Sequence, residues 1–191
     1  MTRPWKPSLE QILASRGRTI PDLISPGLKI LFSGINPSLY SAAVGHHFAR
    51  PGNRFWPALH AAGFTPRLFS PFEGPMLLDL GYGITNVVER STASADELAV
   101  EEFVEGGRRL EAKILEHSPR IVAFLGITAY RSAFGRLRAA IGPQPELIAD
   151  SVLWVLPNPS GLNAHYRLAD LARLYEELRR AGEACVSRSQ P

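Results

Sequence analysis

The chain has 191 residues, of which 45% are hydrophobic and 20% charged, and its formal net charge at pH 7 is +3. This length and composition are typical of one globular domain that buries a sizeable core. No apolar run reaches the length of about 18 residues that a membrane span requires, and no hydrophobic signal core precedes residue 28. The sequence therefore predicts a cytoplasmic protein rather than a membrane or secreted one.

The cysteine, histidine and basic residues limit the kinds of site and partner that the chain can have. Cys185 is the single cysteine, which excludes an internal disulfide and a cysteine-based zinc or iron–sulfur site. His46 and His47 are adjacent on a loop and have no carboxylate at metal-ligand spacing, so we expect no metal and no other cofactor. The basic residues are nearly all arginines, which indicates either phosphate contacts of a nucleic-acid partner or the arginine bias of a GC-rich genome.

Strands and helices alternate along the chain. Residues 1–27 form a lead-in with a short helix, and residues 28–33 form a buried strand that is followed by a long loop at residues 34–53. The pattern then predicts a helix that Gly63 ends, a strand at 82–88, a helix at 95–117, a strand at 121–126 and a helix at 128–139. Residues 147–150 and 153–156 form a hairpin or two separate strand pieces, and a last helix covers residues 168–181.

This alternation predicts the fold class. We expect a single domain at residues 28–182 with a three-layer α/β/α fold and a mostly parallel central sheet, followed by a disordered tail at residues 183–191. Gly106 and Gly107 fall in the middle of the longest predicted helix, where each costs about 1 kcal/mol relative to alanine. A close approach to another element, or a break in the helix, would explain them.

Two of the predicted strands each end in an Asn-Pro-Ser loop, at residues 36–38 and 158–160. Open α/β sheets bind ligands at the carboxyl ends of their strands, so we expect both loops to meet at one site. Asn36 can orient a water molecule but is no general base, and considered without the second loop it is more typical of a turn-forming residue before proline. Glycine-rich phosphate loops and a serine nucleophile elbow are both absent from the sequence.

Three motifs occur in a fixed order: Gly-Ile-Asn-Pro at residues 34–37, Phe-Ala-Arg-Pro-Gly-Asn-Arg-Phe-Trp at residues 48–56, and Val-Leu-Pro-Asn-Pro-Ser-Gly-Leu at residues 155–162. Together they resemble the mismatch-specific uracil-DNA glycosylases, the bacterial branch of the thymine/uracil-DNA glycosylase family. The resemblance extends over roughly residues 26–180. It implies the uracil-DNA glycosylase-like fold and an enzyme that flips a nucleotide out of double-stranded DNA and cuts its N-glycosidic bond.

The resemblance also implies roles for individual residues. Asn36 would be the catalytic residue that holds the hydrolytic water. The base pocket would be lined by Ile35, Ser41, Phe48 and Asn158, with Phe48 stacking on the extruded base and Ser41 near the 5-edge of the pyrimidine. Phe48 could instead simply fill the core.

A second group of residues would contact the DNA itself. Leu162 would be an apolar wedge in the gap that the flipped base leaves, and backbone groups of Gly161 and Asn163 would pair with the widowed guanine. An exposed leucine is otherwise an ordinary surface residue. The candidates for contacts with the DNA backbone are Ser160, His165 and Arg167.

The sequence departs from the family pattern at several positions. Ser38 replaces the usual glycine, Asn86 stands where some relatives carry lysine, and His165 falls where a Ser-Arg pair is expected. The resemblance implies a monomeric, cofactor-free enzyme at the bacterial nucleoid that excises uracil, and also ethenocytosine or mispaired thymine, opposite guanine. The alternatives are a catalytically weak or inactive DNA-damage-binding protein of the same fold, and an unrelated α/β enzyme acting on small molecules.

Overall fold

The computed structural model describes residues 6–187. Its strands are β1 (Ile30–Gly34), β2 (Tyr82–Asn86), β3 (Ile121–Leu125), β4 (Gly142–Ile148) and β5 (Ser151–Leu156). They form one sheet in the order β2-β1-β3-β5-β4, in which β4 alone is antiparallel to its neighbour. The predicted, mostly parallel sheet is confirmed. Strands β4 and β5 form its antiparallel edge as a hairpin, one of the two alternatives for residues 147–156, and β4 begins at Gly142, earlier than predicted.

Helices cover both faces of this sheet. They are α1 (Leu9–Leu13), α2 (Leu39–Val44), α3 (Phe55–Ala61), α4 (Met76–Asp79), α5 (Val100–His117), α6 (Ile127–Phe134) and α7 (Leu168–Ser187). Helices α3 and α7 bury their apolar sides in one core, and α5 and α6 bury theirs in a second core on the opposite face. The three-layer α/β/α fold is therefore confirmed. None of the helices in the described range is long and apolar enough to cross a membrane.

The central strand β3 shows why apolar runs predicted the strands. Ile121, Ala123 and Leu125 contribute to the core beneath α3 and α7, whereas Val122 and Phe124 contribute to the core beneath α5 and α6. Successive side chains of a strand point to opposite faces, so a strand covered on both faces must be apolar at every position.

The glycine pair in α5 marks a close approach, one of the two explanations offered by the sequence. The helix is continuous through both residues. A Cβ atom on Gly106 would lie 2.2 Å from the backbone oxygen of Val87, and one on Gly107 would lie 2.7 Å from the backbone oxygen of Ala133. The two glycines thus let α5 pack directly against the chain after β2 and against α6.

Several element boundaries differ from the prediction. The loop at residues 34–53 contains α2, because the Ser38 hydroxyl accepts a hydrogen bond from the Ser41 N–H and caps this short helix. Helix α6 ends at Phe134, since Gly135 adopts the left-handed conformation with φ of 65°. A 3₁₀ turn, Ala95–Glu97, precedes α5, which starts only at Val100.

The last helix is longer than predicted. It continues to Ser187, so residues 183–187 of the predicted disordered tail are helical, and residues 188–191 lie outside the described range. Glu183 supports this extension, because its carboxylate pairs with Arg179 at a distance of 2.5 Å, one helical turn away.

The lead-in packs onto the rest of the fold. Its short helix is confirmed as α1. Leu23 forms an isolated antiparallel bridge with Ile84 of β2, and the Asp22 carboxylate lies 2.6 Å from the Lys113 ammonium of α5. These contacts hold the segment before β1 against β2 and α5.

Candidate active site

The loops that follow β1, β2 and β5 surround a cavity of about 400 Å³ at the carboxyl edge of the sheet. The chain leaves β1 for β2 on one side, while β3 lies on the other side of β1, and such switch points leave a crevice in open α/β sheets. Asn36 and Asn158 both line this cavity, so the two Asn-Pro-Ser loops meet as expected. The other predicted pocket residues, Ile35, Ser41 and Phe48, line it as well.

Asn36 is held by its amide nitrogen. Its Nδ2 donates to the Arg90 carbonyl at 3.0 Å and to the Thr92 hydroxyl oxygen at 2.7 Å. The Thr92 hydroxyl in turn donates to the Ser94 carbonyl at 2.7 Å, so it can only accept from Asn36. Both amide protons are therefore used, and Oδ1 is the group available to accept a hydrogen bond from a water molecule in the cavity.

The departure at Ser38 has a structural role. Besides capping α2, its hydroxyl lies 3.0 Å from the Ser41 hydroxyl, whose oxygen also accepts the Ala49 N–H at 3.0 Å. Ser41 is only 3% exposed. The serine pair thus links the start of the loop to the backbone next to Phe48.

Phe48 occupies an unusual backbone conformation, with φ of 54°. Its ring stacks on Phe55 with centroids 4.1 Å apart, and its edge would lie 3.2 Å from a Cβ atom on Gly34. Phe48 therefore borders both the core and the cavity, so core packing and exposure to a ligand are compatible.

His47 and Asn86 form the part of the cavity that sequence reasoning missed. The His47 ring is 5% exposed, its Nε2 lies 3.0 Å from the Pro21 carbonyl, and its Nδ1 lies 3.4 Å from Asn86 Nδ2. Burial lowers the pKa of His47, which favours the neutral ring. The carbonyl can only accept, so Nε2 carries the proton and Nδ1 accepts from the Asn86 amide.

This arrangement predicts a pH-dependent stability. Burial lowers the pKa of His47 below its ordinary value of 6.5, so the unfolded chain takes up the proton more readily than the folded protein. The free energy of unfolding should therefore fall as the pH decreases through about 6.5. Urea unfolding of wild type and His47→Gln checks this. The stability advantage of wild type should shrink between about pH 7.5 and about pH 5, and an equal advantage at both values would contradict it.

The loop at residues 157–167, here called the wedge loop, is built from side-chain-to-backbone hydrogen bonds. Asn158 Oδ1 accepts the Ser160 N–H at 3.0 Å, and Asn163 Oδ1 accepts the His165 N–H at 3.2 Å. Asn163 Nδ2 also donates to the Asn158 carbonyl at 3.0 Å. The Leu162 side chain is 75% exposed and lines the cavity.

The two residues expected to contact guanine differ in the state of their backbone groups. Asn163 donates its N–H to the Ser160 carbonyl at 3.0 Å, and its own carbonyl accepts from Arg54 at 2.9 Å. In the described part of the chain, the N–H and carbonyl of Gly161 have no hydrogen-bond partner. Gly161 is therefore the better placed of the two for a new backbone contact.

The outer residues of the site are charged or polar. His165 and Arg167 are exposed, and the Arg167 N–H donates to the Asp170 carboxylate at 2.8 Å at the start of α7. Arg50 and Asp96 are exposed residues of the cavity lining that the sequence did not assign to the site. The described side chains contain no cluster suited to a metal ion.

The fold and the cavity define an open α/β protein with a pocket of about 400 Å³, lined mostly by uncharged side chains, between the loops that follow its parallel strands. Residues 21–179 match the family model of the uracil DNA glycosylase superfamily. The chain therefore belongs to this superfamily, and membership supports excision of uracil from DNA as its general activity.

A solved structure shows the same fold. It is the solution NMR structure of a candidate uracil DNA glycosylase from Methanosarcina acetivorans, which is 21% identical in sequence. The two structures align with a TM-score of 0.57, over 85% of this chain and 98% of the other.

Proposed function

We propose that the protein is a monofunctional DNA glycosylase of the mismatch-specific branch, which excises uracil opposite guanine in double-stranded DNA by water attack. The observation that carries this proposal is Asn36, whose amide nitrogen is anchored while its oxygen remains available beside the cavity. The enzyme would act as a monomer on nucleoid DNA in the bacterial cytoplasm.

The chemistry follows from a neutral amide at the catalytic position. Asn36 can orient water but cannot remove its proton, so the reaction requires a leaving base that is stable as an anion. Uracil and ethenocytosine meet this requirement. Thymine would be a substrate only when mispaired, because a mispaired base costs less to flip out of the duplex. No lysine is among the described residues of the cavity lining, which supports water rather than an amine as the nucleophile.

The extruded base would be recognised by residues of the loops that follow β1, β2 and β5. Stacking of the extruded base on Phe48 would contribute roughly 1–3 kcal/mol. Ile35 and Asn158 would line the pocket, and Ser41 would approach the 5-edge of the pyrimidine, where little space discriminates against a methyl group. Asn86, held by His47, adds an amide to the pocket in place of the lysine of some relatives.

The wedge loop would supply the contacts with the duplex. Leu162 would fill the gap in the base stack, and the backbone of Gly161 would pair with the widowed guanine, with Asn163 shaping the loop. Ser160, His165 and Arg167 would contact the DNA backbone.

Turnover on a duplex with a central G·U pair tests the proposal. We expect uracil release and an abasic strand that remains uncleaved until alkali is added. Borohydride should trap no enzyme–DNA adduct, and a trapped adduct would show an amine nucleophile instead. Salt-sensitive duplex binding without any turnover would favour the alternative of an inactive damage-binding protein.

Replacing Leu162 with alanine should impair paired substrates selectively. The truncated side chain cannot refill the stack, so excision from a G·U duplex should fall by about tenfold, while excision from single-stranded DNA should change little. Single-turnover rates on the two substrates check this, with Leu137→Ala, another exposed leucine, as the control. Equal losses on both substrates would show that Leu162 only packs against its neighbours.

A further inference from the structure

We propose that Arg54 is a positioning residue that holds the wedge loop in the shape required to enter duplex DNA. The part of this inference that concerns DNA entry rests on the proposed function. Arg54 directly precedes α3 and is 106 residues before Ser160 of the wedge loop in the sequence. No sequence pattern assigns it a role in that loop.

Arg54 binds four backbone carbonyls of the wedge loop. Its own N–H donates to the Pro159 carbonyl at 2.9 Å. Its guanidinium donates to the carbonyls of Ser160 and Tyr166, and to that of Asn163 at 2.9 Å. A single residue thus fixes both arms of the loop on either side of Leu162.

The geometry of these bonds requires arginine. The guanidinium is a rigid planar fork that can reach several acceptors at once, whereas a lysine ammonium is a single point charge on a flexible stem. In the described part of the chain, Arg54 forms no ion pair, and its Nε has no hydrogen-bond partner. The charged guanidinium therefore interacts mainly with the loop carbonyls, and a charged donor forms stronger hydrogen bonds with them than a neutral donor would.

A second contact joins the wedge loop to the segment just before α3. A Cβ atom on Gly161 would lie only 2.5 Å from the backbone oxygen of Gly52, two residues before Arg54. Gly161 therefore permits a direct backbone approach, while Arg54 ties the arms down. A loop held in this way is already ordered before DNA arrives, so binding does not have to order it.

The experiment compares two uracil substrates and the mobility of the loop. One duplex carries a central G·U pair, and the other carries the uracil in an unpaired bubble, where no base has to be displaced. Arg54→Met should lower single-turnover excision from the paired duplex by about 30-fold, and from the bubble by less than about threefold. Hydrogen exchange at residues 157–167 should become faster. Arg108→Met, which removes an exposed α5 arginine paired with Glu105, is the charge-matched control and should behave as wild type.

Further variants decide between geometry and charge. Arg54→Lys keeps the charge and should show the same defect as Arg54→Met, so wild-type behaviour of this variant would overturn the inference. Unchanged hydrogen exchange in the wedge loop, or equal losses on both substrates, would also overturn it. If Arg54→Met does not fold, Arg54→Lys decides, because it keeps the positive charge beside the loop carbonyls but loses the planar fork, and it should still combine the duplex-selective loss with faster hydrogen exchange at residues 157–167.

Failure of the proposed function would be distinguishable. A wild-type protein without excision activity on either substrate would refute the glycosylase assignment. Hydrogen exchange of Arg54→Met would then still show whether Arg54 holds the loop.

Discussion

Replacing Asn36 with alanine should lower single-turnover excision of uracil by about 1,000-fold and leave duplex binding little changed. The reason is that the amide oxygen is the group available to hold water, whereas Phe48, Leu162 and the exposed basic residues that would bind DNA lie elsewhere in the site. Rates measured with enzyme in excess, together with binding to a duplex containing a non-cleavable uracil nucleotide, check this expectation.

Two further variants control this result. Thr92→Val removes the hydroxyl that accepts from Asn36 Nδ2 but leaves the amide itself, so it should cause a smaller loss of rate. Asp96→Asn tests the carboxylate at the cavity, which is the alternative group for activating water. A near-normal rate in Asn36→Ala combined with a large loss in Asp96→Asn would show that Asp96, rather than Asn36, activates the water.

Replacing Gly106 with alanine should destabilise the fold by at least about 2 kcal/mol. Alanine normally favours a helix by about 1 kcal/mol over glycine, but here its Cβ atom would meet the Val87 backbone oxygen at 2.2 Å. The chain after β2 or the whole of α5 would have to move, and neither can do so without opening the core. Urea unfolding measures the loss.

Gly182→Ala is the matched control for this substitution. Gly182 also lies in a helix, but its added Cβ atom would meet the end of the flexible Ile30 side chain at 3.2 Å rather than a backbone oxygen. We expect a change in the free energy of unfolding within about 1 kcal/mol. If both substitutions had the same small effect, the close approach of α5 would not contribute to stability.

The sequence predicted those parts of the fold that local pattern controls. Apolar runs such as residues 121–125 identified strands because both faces of the sheet are covered. The glycine pair at 106–107 indicated either a close approach or a break, because no local advantage explains glycine inside a helix, and the structure shows the close approach. Helix α2 was missed, since its six residues are too few to show a helical period.

The candidate site was predictable only in part, for a different reason. The strand-end positions of Asn36 and Asn158 followed from the apolar runs before them. The hydrogen bond from Asn36 to Thr92 spans 56 residues, and the contact between His47 and Asn86 spans 39. Neither pair has a spacing or motif that links its members, so only the folded chain reveals that His47 contacts the Asn86 amide.

The hydrogen bonds from Arg54 to the wedge loop also affect how this protein can evolve. Every atom that Arg54 grips in the wedge loop is a backbone oxygen, so the bonds do not depend on which side chains the loop carries. Substitutions at its exposed positions, such as His165, can alter what the surface recognises without altering the path of the main chain. Under the proposed function, the lesion preference of the protein can therefore change through single substitutions in the loop while the backbone conformation stays the same.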